Sequence, residues 1–559
     1  MSRAVLAALP STQAAPATEI DIHNTVPSVL VRQAQRYGAK PLIQFPRERE
    51  SLSYEGLLVY ARAGAARLHH EHGLRPGDMA AIHLANSADY VKAWFSCLFA
   101  GVVDAPINHE FRKTSLLFGL TTTQARAVFT DGAGVERLVD PEVRSYLAQL
   151  KVLVLSGDYD RTTVDRLLAN VPACPPVVEL RALTAEGPQD EIWTRLESTA
   201  PALIRFTSGT TGPAKGILQS HLHVLAKSAV HNTVFEFGPD DVLYTPFPLH
   251  HNLASINGLI GTLQAGGTMV SVAKFSASGF WREARECGAT LAHLLQSIAP
   301  LVSAQPPSND DRNHKVRYVW AGRPDQAFEE RFNTRYVQIY ALGEVGVVSY
   351  KRGGEQGGAG AGRPLPEMEV RIVDPLDQPV TQGVVGEIVI RPRQPHRVML
   401  AYHNDLPATM RAFRNLWFHT GDGGYFNETG ELCFAGRLGD TIRRRGVNIS
   451  SEQIEAELRK HPAVQDCGVI AVPAHTGEQE IHACILWNSA PPDEREAFDA
   501  LAAFLAERLP KSYLPRFFET MADLPRTNTG KVRKTELRDR RKFGPTWDRE
   551  QVRWLYEAD

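Results

Sequence analysis

The sequence predicts an α/β protein, with a large layered N-terminal domain and a smaller α+β domain behind it. Three observations carry that reading. The chain has 559 residues, more than one ordinary domain holds. Short apolar runs of strand length alternate with helix-length segments over most of the chain, the order expected of layered α/β structure. Near Gly436 the pattern changes to a compact unit of about 120 residues, a normal domain size. The expected division is a disordered lead-in at 1–24, a large domain at 25–439 and a small domain at 440–559, with the boundary at Asp440.

In chain order, the run Ala4–Leu9 after Arg3 is too short for the apolar core of a signal peptide. Ser11–Thr18 is rich in Ala, Pro and Thr and continues the lead-in. Val152–Leu155, Ala202–Phe206, Val242–Tyr244, Val316–Trp320, Tyr336–Tyr340 and Gly386–Ile390 read as buried strands, with helices at Leu218–Val230 and Trp281–Cys287. The uncharged stretch Thr245–Ala273 is long enough to raise the question of a membrane span. Its prolines, Asn252, Asn257, Gln264 and four glycines argue instead for a loop, a buried helix, a turn at Gly266–Gly267 and a buried strand. Beyond Gly436 come a basic turn at Arg443–Arg445, a helix at Ser451–Lys460 and strands at Cys467–Val472 and Ile481–Trp487. A helix at Glu494–Leu509 follows, with Phe498, Leu501, Leu505 and Leu509 at core-facing spacing.

Composition excludes several classes. Apolar residues make up 43% and charged residues 22%, the balance of a globular protein. Lys plus Arg is 61 against 63 for Asp plus Glu, so a chain-wide grip on nucleic acid or anionic membrane is not expected. The six cysteines are scattered without a CxxC pair, which points away from a disulfide framework or zinc ribbon and toward a reducing cytoplasm.

The most informative segment is Thr207-Ser208-Gly209-Thr210-Thr211-Gly212-Pro213-Ala214-Lys215-Gly216, placed between an apolar strand and a helical pattern. Glycines let backbone N–H groups converge on an anion, the hydroxyls of Ser208, Thr210 and Thr211 add donors, and Lys215 adds charge. The set suits a polyphosphate. Its spacing is not that of the Walker A loop, because Ala214 precedes and Gly216 follows the lysine. Taken alone, an ordinary Ser/Thr/Gly surface turn fits as well.

This segment resembles the phosphate loop of the adenylate-forming superfamily, which holds acyl-CoA synthetases, nonribosomal peptide adenylation domains and luciferases. Here Pro213 stands one place earlier than the proline of the family pattern. Further motifs follow in family order, from about residue 25 to about residue 540 in all. Tyr340-Ala341-Leu342-Gly343-Glu344 resembles the YGxTE segment, with Ala341 for Gly and Gly343 for the Thr that contacts phosphate. The resemblance implies that Tyr340 stacks on adenine, that Glu344 binds Mg2+, and that Gly322, Ala341 and Gly343 lie along the nucleotide. Thr420-Gly421-Asp422 matches the segment whose aspartate takes both ribose hydroxyls. Gly436-Arg437-Leu438-Gly439-Asp440 resembles the hinge, with Arg437 near the ribose and Asp440 as pivot. Pro525–Lys531 matches the segment carrying the catalytic lysine, Lys531. Singly, Asp422 would be a turn residue and Lys531 a surface lysine; their order and spacing raise them.

The resemblance is closest to acid–CoA ligases of the carnitine or crotonobetaine type. It implies an ATP-dependent, AMP-forming ligase in which the mobile small domain serves two half-reactions by turning about Asp440. The implied cosubstrates are ATP with Mg2+ and coenzyme A. The segment after Phe247–His251 would line the acyl pocket, with His250, His251, Asn252 and Arg323 as candidates. His251 resembles a gating position, though it also fits as a loop or core histidine. Arg323 either meets a polar group of the substrate or turns outward. Amino-acid-activating relatives place an Asp in the pocket segment; this chain has no Asp or Glu between Pro246 and Trp281, which favours an apolar, non-amino acid. The basic run including Arg444, Arg445 and Gly446 either meets the phosphates of coenzyme A or forms a solvated basic face. Coenzyme A is the leading acceptor, since no carrier module with a phosphopantetheine serine follows before Asp559. A stand-alone enzyme loading a separate carrier protein, and a nucleotide-binding homologue without catalysis, stay open. The Ala- and Arg-rich composition suits a natural-product pathway enzyme.

Overall fold

Two eight-stranded sheets carry the N-terminal body of the protein. The first runs, edge to edge, through strands Gly346–Arg352, Arg335–Leu342, Tyr318–Trp320, Leu291–His293, Val242–Thr245, Thr268–Ser271, Pro41–Phe45 and Glu50–Ser53. The second runs through Ala401–Tyr402, Gly216–Ser220, Pro201–Phe206, Val103–Pro106, Met79–His83, Ala127–Thr130, Val152–Leu155 and Val177–Glu179. The strands pair in parallel at the centre of each sheet, and antiparallel pairs lie at both edges of the first sheet and at one edge of the second. The computed structural model describes residues 21–185, 187, 191–206, 215–272, 274–295, 298–320, 325–355, 360–438, 441–444, 447–473, 479–509, 511–527, 530–540 and 543–555.

Helices Ala88–Phe99 and His221–Phe235 touch both sheets and fill the layer between them. Each is apolar around most of its circumference, the pattern of a helix with no solvent face. Each starts where a serine hydroxyl accepts a backbone N–H, from Tyr90 to Ser87 and from His223 to Ser220. The expected helix at Leu218–Val230 therefore begins three residues late. Leu218 to Ser220 complete a strand, because pairing with Ile204 and Leu203 satisfies that backbone before the Ser220 cap turns the chain.

The uncharged stretch resolves into a loop, a wide π-helix at Leu253–Ile260, one α-helical turn at Gly261–Ala265 and the strand Thr268–Ser271. Gly266 sits at φ +80, and a Cβ there would lie 2.2 Å from the Tyr37 ring, so the turn requires glycine. Among the described residues no helix is long and apolar enough to cross a membrane.

A third, antiparallel sheet orders strands Met368–Val373, Gly386–Pro392, Phe418–Phe426 and Leu432–Arg437. The C-terminal part is built differently. A five-stranded sheet pairs Val464–Pro473 with Gln479–Trp487, then Phe517–Thr520, Thr546–Asp548 and Arg553–Leu555. Helices Ser451–Leu458 and Glu494–Ala506 pack on it through Ile454, Phe498, Leu501 and Leu505, all fully buried. Each such side chain contributes about 1.5–3 kcal/mol by leaving water. Leu509 lies beyond the helix end and packs only partly against the same core.

Candidate active site

The ends of several strands meet at one place. Phe206 pairs with Gly216, so the phosphate-loop segment closes a hairpin at the end of the second sheet. Thr207, Ser208, Gly209, Thr210, Thr211 and Gly212 lie outside the described residues, as do Gly322, Arg323, Asp440, Arg445 and Gly446. Lys215 is exposed, and its ammonium lies 4.8 Å from the centre of the Tyr402 ring. The Tyr402 hydroxyl donates to Glu344 Oε1 at 2.8 Å. One tyrosine thus bridges the phosphate-loop lysine and the candidate metal carboxylate, across the ends of the two large sheets. Nothing in the spacing announced it: Tyr402 is 58 residues from Glu344.

Glu344 occupies the turn between strands Arg335–Leu342 and Gly346–Arg352. Among the described residues its carboxylate forms no ion pair. A single hard carboxylate beside a phosphate loop fits Mg2+, which takes one or two carboxylates plus phosphate oxygens and water. The strand leading to the turn carries an irregularity at Tyr340/Ala341, a device that re-aims side chains next to functional sites. Ala341 is exposed there, and Gly343 is half-buried. A Cβ on Gly343 would approach Ile217 Cδ1 to 2.7 Å, so Ile217 fills the space a threonine would need.

Asp422 and Arg437 face each other across paired strands. The carboxylate accepts from the Tyr340 hydroxyl at 2.7 Å and lies 2.9 Å from Arg437 Nε. Burial pushes its pKa up to about 6, against the opposing pull of Arg437 and Tyr340. The Tyr340 ring is itself almost covered and lies 6.0 Å from the half-open ring of Phe434. Behind Asp422, Glu387 accepts the Gly421 N–H at 3.1 Å and pairs with His419 Nδ1 at 2.9 Å. Gly421, inside the strand Phe418–Phe426, is at φ +69, so this carboxylate holds an irregular strand position suited to glycine.

His250, His251 and Asn252 are all half-buried on the loop entering the π-helix. That loop is clamped by Asn86, which donates to the Phe247 carbonyl at 3.0 Å and accepts the Leu249 N–H at 2.7 Å. His251 Nδ1 accepts the Leu253 N–H at 3.3 Å, which leaves Nε2 as the protonated nitrogen. Burial lowers the pKa of His251 to about 4 and of His250 to about 3, so both rings are neutral at pH 7. The charges of Arg205 and Lys531 push His251 further in the same direction. Lys531, from the C-terminal part, is therefore within electrostatic reach of this loop. Glu452, at the start of a C-terminal helix, likewise acts on Asp422.

Lys531 is exposed on a tight loop closed by its own N–H to Thr527 Oγ1 and by Thr527 N–H to its carbonyl. The helix after it is tied down by Lys534, whose buried ammonium meets Ser451 at 2.8 Å and Glu455 at 2.7 Å.

Arg444 corrects an expectation. It does not form part of a solvated basic face able to meet an external phosphate. Its guanidinium is 2% exposed, reaches Glu480 at 2.5 Å and Glu550 at 2.7 Å, and donates to the Ser512 and Leu514 carbonyls. Strand Thr441–Arg444 packs against Gln479–Trp487, which carries Arg444 inward to the acids.

Two lone opposite charges in buried strands, Asp104 and Arg205, form a second group the motifs did not reveal. They pair at 2.8 Å with Arg205 over the Trp94 ring. A charge inside an apolar strand run is the sequence signal that could have found them. Lys227 gives the same signal, as a lone cation midway along a buried helix.

Residues 30–403 match the family described as AMP-binding enzyme, and residues 453–531 match the AMP-binding enzyme C-terminal domain. A crotonobetaine/carnitine–CoA ligase from Proteus mirabilis is 30% identical over 482 residues, covering 85% of this chain and 90% of that protein. The crystal structure of an anthranilate CoA ligase with anthranoyl-AMP superposes with a TM-score of 0.78 at 20% identity, over 93% of this chain and 97% of the other. ATP-bound MatB from Rhodopseudomonas palustris gives 0.76 at 22% identity, over 92% and 99%. At these identities the two structures speak for the fold.

Proposed function

The chain belongs to the AMP-binding enzyme family, and from that premise we propose that it is an ATP-dependent, AMP-forming acid–CoA ligase. A carboxylate is a poor acylating agent because oxide does not leave. In the first half-reaction the substrate carboxylate oxygen attacks the α-phosphorus of ATP, the α–β phosphoanhydride bond breaks, and pyrophosphate leaves. In the second, the coenzyme A sulfur, having given up its proton, attacks the acyl carbon and AMP departs. The observation that carries this reading is the Asp422–Tyr340–Arg437 constellation beside the Glu344 turn, whose charge acts on Asp422.

In this reading Asp422 accepts the ribose hydroxyls, with Tyr340 and Arg437 orienting it. The loop Thr207–Lys215 cradles the phosphates. Glu344 would hold Mg2+, which would supply charge stabilisation for the phosphate oxygens. Tyr402 holds that carboxylate and Lys215 in register, and Lys531 faces the α-phosphate, where charge develops. The small domain, beginning near Asp440, turns about that residue between the half-reactions. The acid is apolar and not an amino acid. The chain offers no acidic residue from Pro246 to Trp281, and the helix Leu253–Ile260 is buried and uncharged. The six free cysteines favour work in the reducing cytoplasm.

The test is pyrophosphate release from ATP across a panel of carboxylic acids, followed by mass analysis with coenzyme A or a phosphopantetheinylated carrier protein. Acid-dependent pyrophosphate release with an acyl-CoA product supports the ligase. A thioester found only on the carrier would move the activity to carrier loading, and no release with any acid would overturn catalysis altogether.

A further inference from the structure

Lys227 lies on the helix between the two large sheets and is 5% exposed. Placing an ammonium there is costly unless its protons meet acceptors, and two of its three do. Nζ donates to the Gly343 carbonyl at 2.7 Å and to Gln219 Oε1 at 2.9 Å. Gly343 immediately precedes Glu344. The turn is shaped to reach the lysine: Gly346 is at φ +95, and a Cβ there would stand 2.8 Å from Lys227 Cγ. On the other side, the absent Cβ of Gly343 lets the turn close onto Ile217. The chain thus gives up side chains at two positions of the Glu344 turn and seats a buried cation under it. Burial pulls the pKa of Lys227 down to about 7; the charge of Glu344 opposes that shift and the charge of Arg205 adds to it.

Resting on the assignment of Glu344 to Mg2+ above, we propose that Lys227 is a positioning residue for adenylation: its ammonium ties down the Gly343 carbonyl and so sets the Glu344 carboxylate toward the metal. It touches no substrate. Outer-shell partners of metal ligands change affinity by about 10–100-fold when removed.

The variants are Lys227→Met, which keeps the stem and removes charge and donor, and Lys227→Gln, which keeps a donor. Mn2+ affinity is read by electron paramagnetic resonance with α,β-methylene-ATP present, alongside thermal melting and both half-reactions. Expected for Lys227→Met are about 10–100-fold weaker Mn2+ binding and a matching fall in pyrophosphate release at fixed Mg2+. Thioester formation from supplied acyl-adenylate should stay within about twofold, because Lys227 acts only through the metal turn. Lys227→Gln should recover part of the loss, and it carries the same measurements if the Met variant does not fold. Unchanged Mn2+ affinity with a lowered melting point would reduce Lys227 to a structural residue. Tighter Mn2+ binding would make it a competing charge. Either result overturns the proposal. If Glu344→Gln leaves Mn2+ affinity unchanged, the assignment of Glu344 fails, while the split between half-reactions in Lys227→Met still decides the role of Lys227.

Discussion

Replacing Asp422 with asparagine separates what this carboxylate costs the fold from what it does for ATP. Its pKa sits at about 6 because burial disfavours the charged form more than Arg437 and Tyr340 favour it. The folded protein therefore holds this proton more tightly than the unfolded chain does. The sign follows: its contribution is stabilising below about pH 4 and is lost as pH rises through about 6. A displacement of about two pKa units corresponds to about 3 kcal/mol at neutral pH. Asp422→Asn cannot ionise, so it should equal the parent in stability near pH 4 and exceed it by up to about 3 kcal/mol at pH 7. Binding moves the other way. The amide oxygen still accepts one ribose hydroxyl, but one charge-assisted bond is lost, worth about 1.5–3 kcal/mol. The KM for ATP should rise about 10- to 100-fold. Because the ribose is held alike in ground and transition states, kcat should fall much less. The assays are pyrophosphate release with ATP varied from pH 5 to 8, and melting over the same range. In the parent, kcat/KM for ATP should decline as pH falls through about 6, and that limb should vanish in the variant. A variant with unchanged KM and a large kcat defect, or one that keeps the acidic limb, would refute the reasoning.

Three further outcomes are expected. Lys531→Ala should slow adenylation by about 2.7–4 kcal/mol of barrier, by analogy with a lost oxyanion donor, and leave thioester formation from supplied acyl-adenylate largely intact; equal loss in both half-reactions would contradict its placement. Arg444→Met removes the buried cation that Glu480 and Glu550 share, leaving Glu480 only the longer pairing with Arg516 at 4.0 Å, and should destabilise by about 3–5 kcal/mol. Its folded fraction should keep the parent KM for coenzyme A; a raised KM with unchanged melting would return Arg444 to the acceptor site. Asp440→Pro fixes φ at the proposed pivot, so pyrophosphate release should persist while transfer to coenzyme A falls; a folded variant with normal thioester formation would move the pivot elsewhere.

Local pattern was enough to place the strands at Val152–Leu155, Val242–Tyr244 and Gly386–Ile390, because buried central strands must be short and apolar. It was enough, too, to read Thr245–Ala273 as a broken, buried element, since prolines and glycines interrupt any span. The motif residues Tyr340, Glu344, Asp422 and Lys531 were legible because each sits in a short segment whose neighbours mark it. What the sequence left open depends on contacts between distant segments. Arg443–Arg445 reads as a basic surface until the packing of its strand against Gln479–Trp487 carries Arg444 inward to Glu480 and Glu550. Tyr402, Glu387, Asn86 and Lys227 carry no local signature of their partners Glu344, Gly421, Phe247 and Gly343, which lie tens to more than a hundred residues away. A one-dimensional pattern records which residues seek burial and which turns are permitted. Which charge meets which is decided only when two sheets and a helix layer close around them, because a buried ion or hydrogen bond is satisfied by distance and direction, and neither exists before the chain has folded.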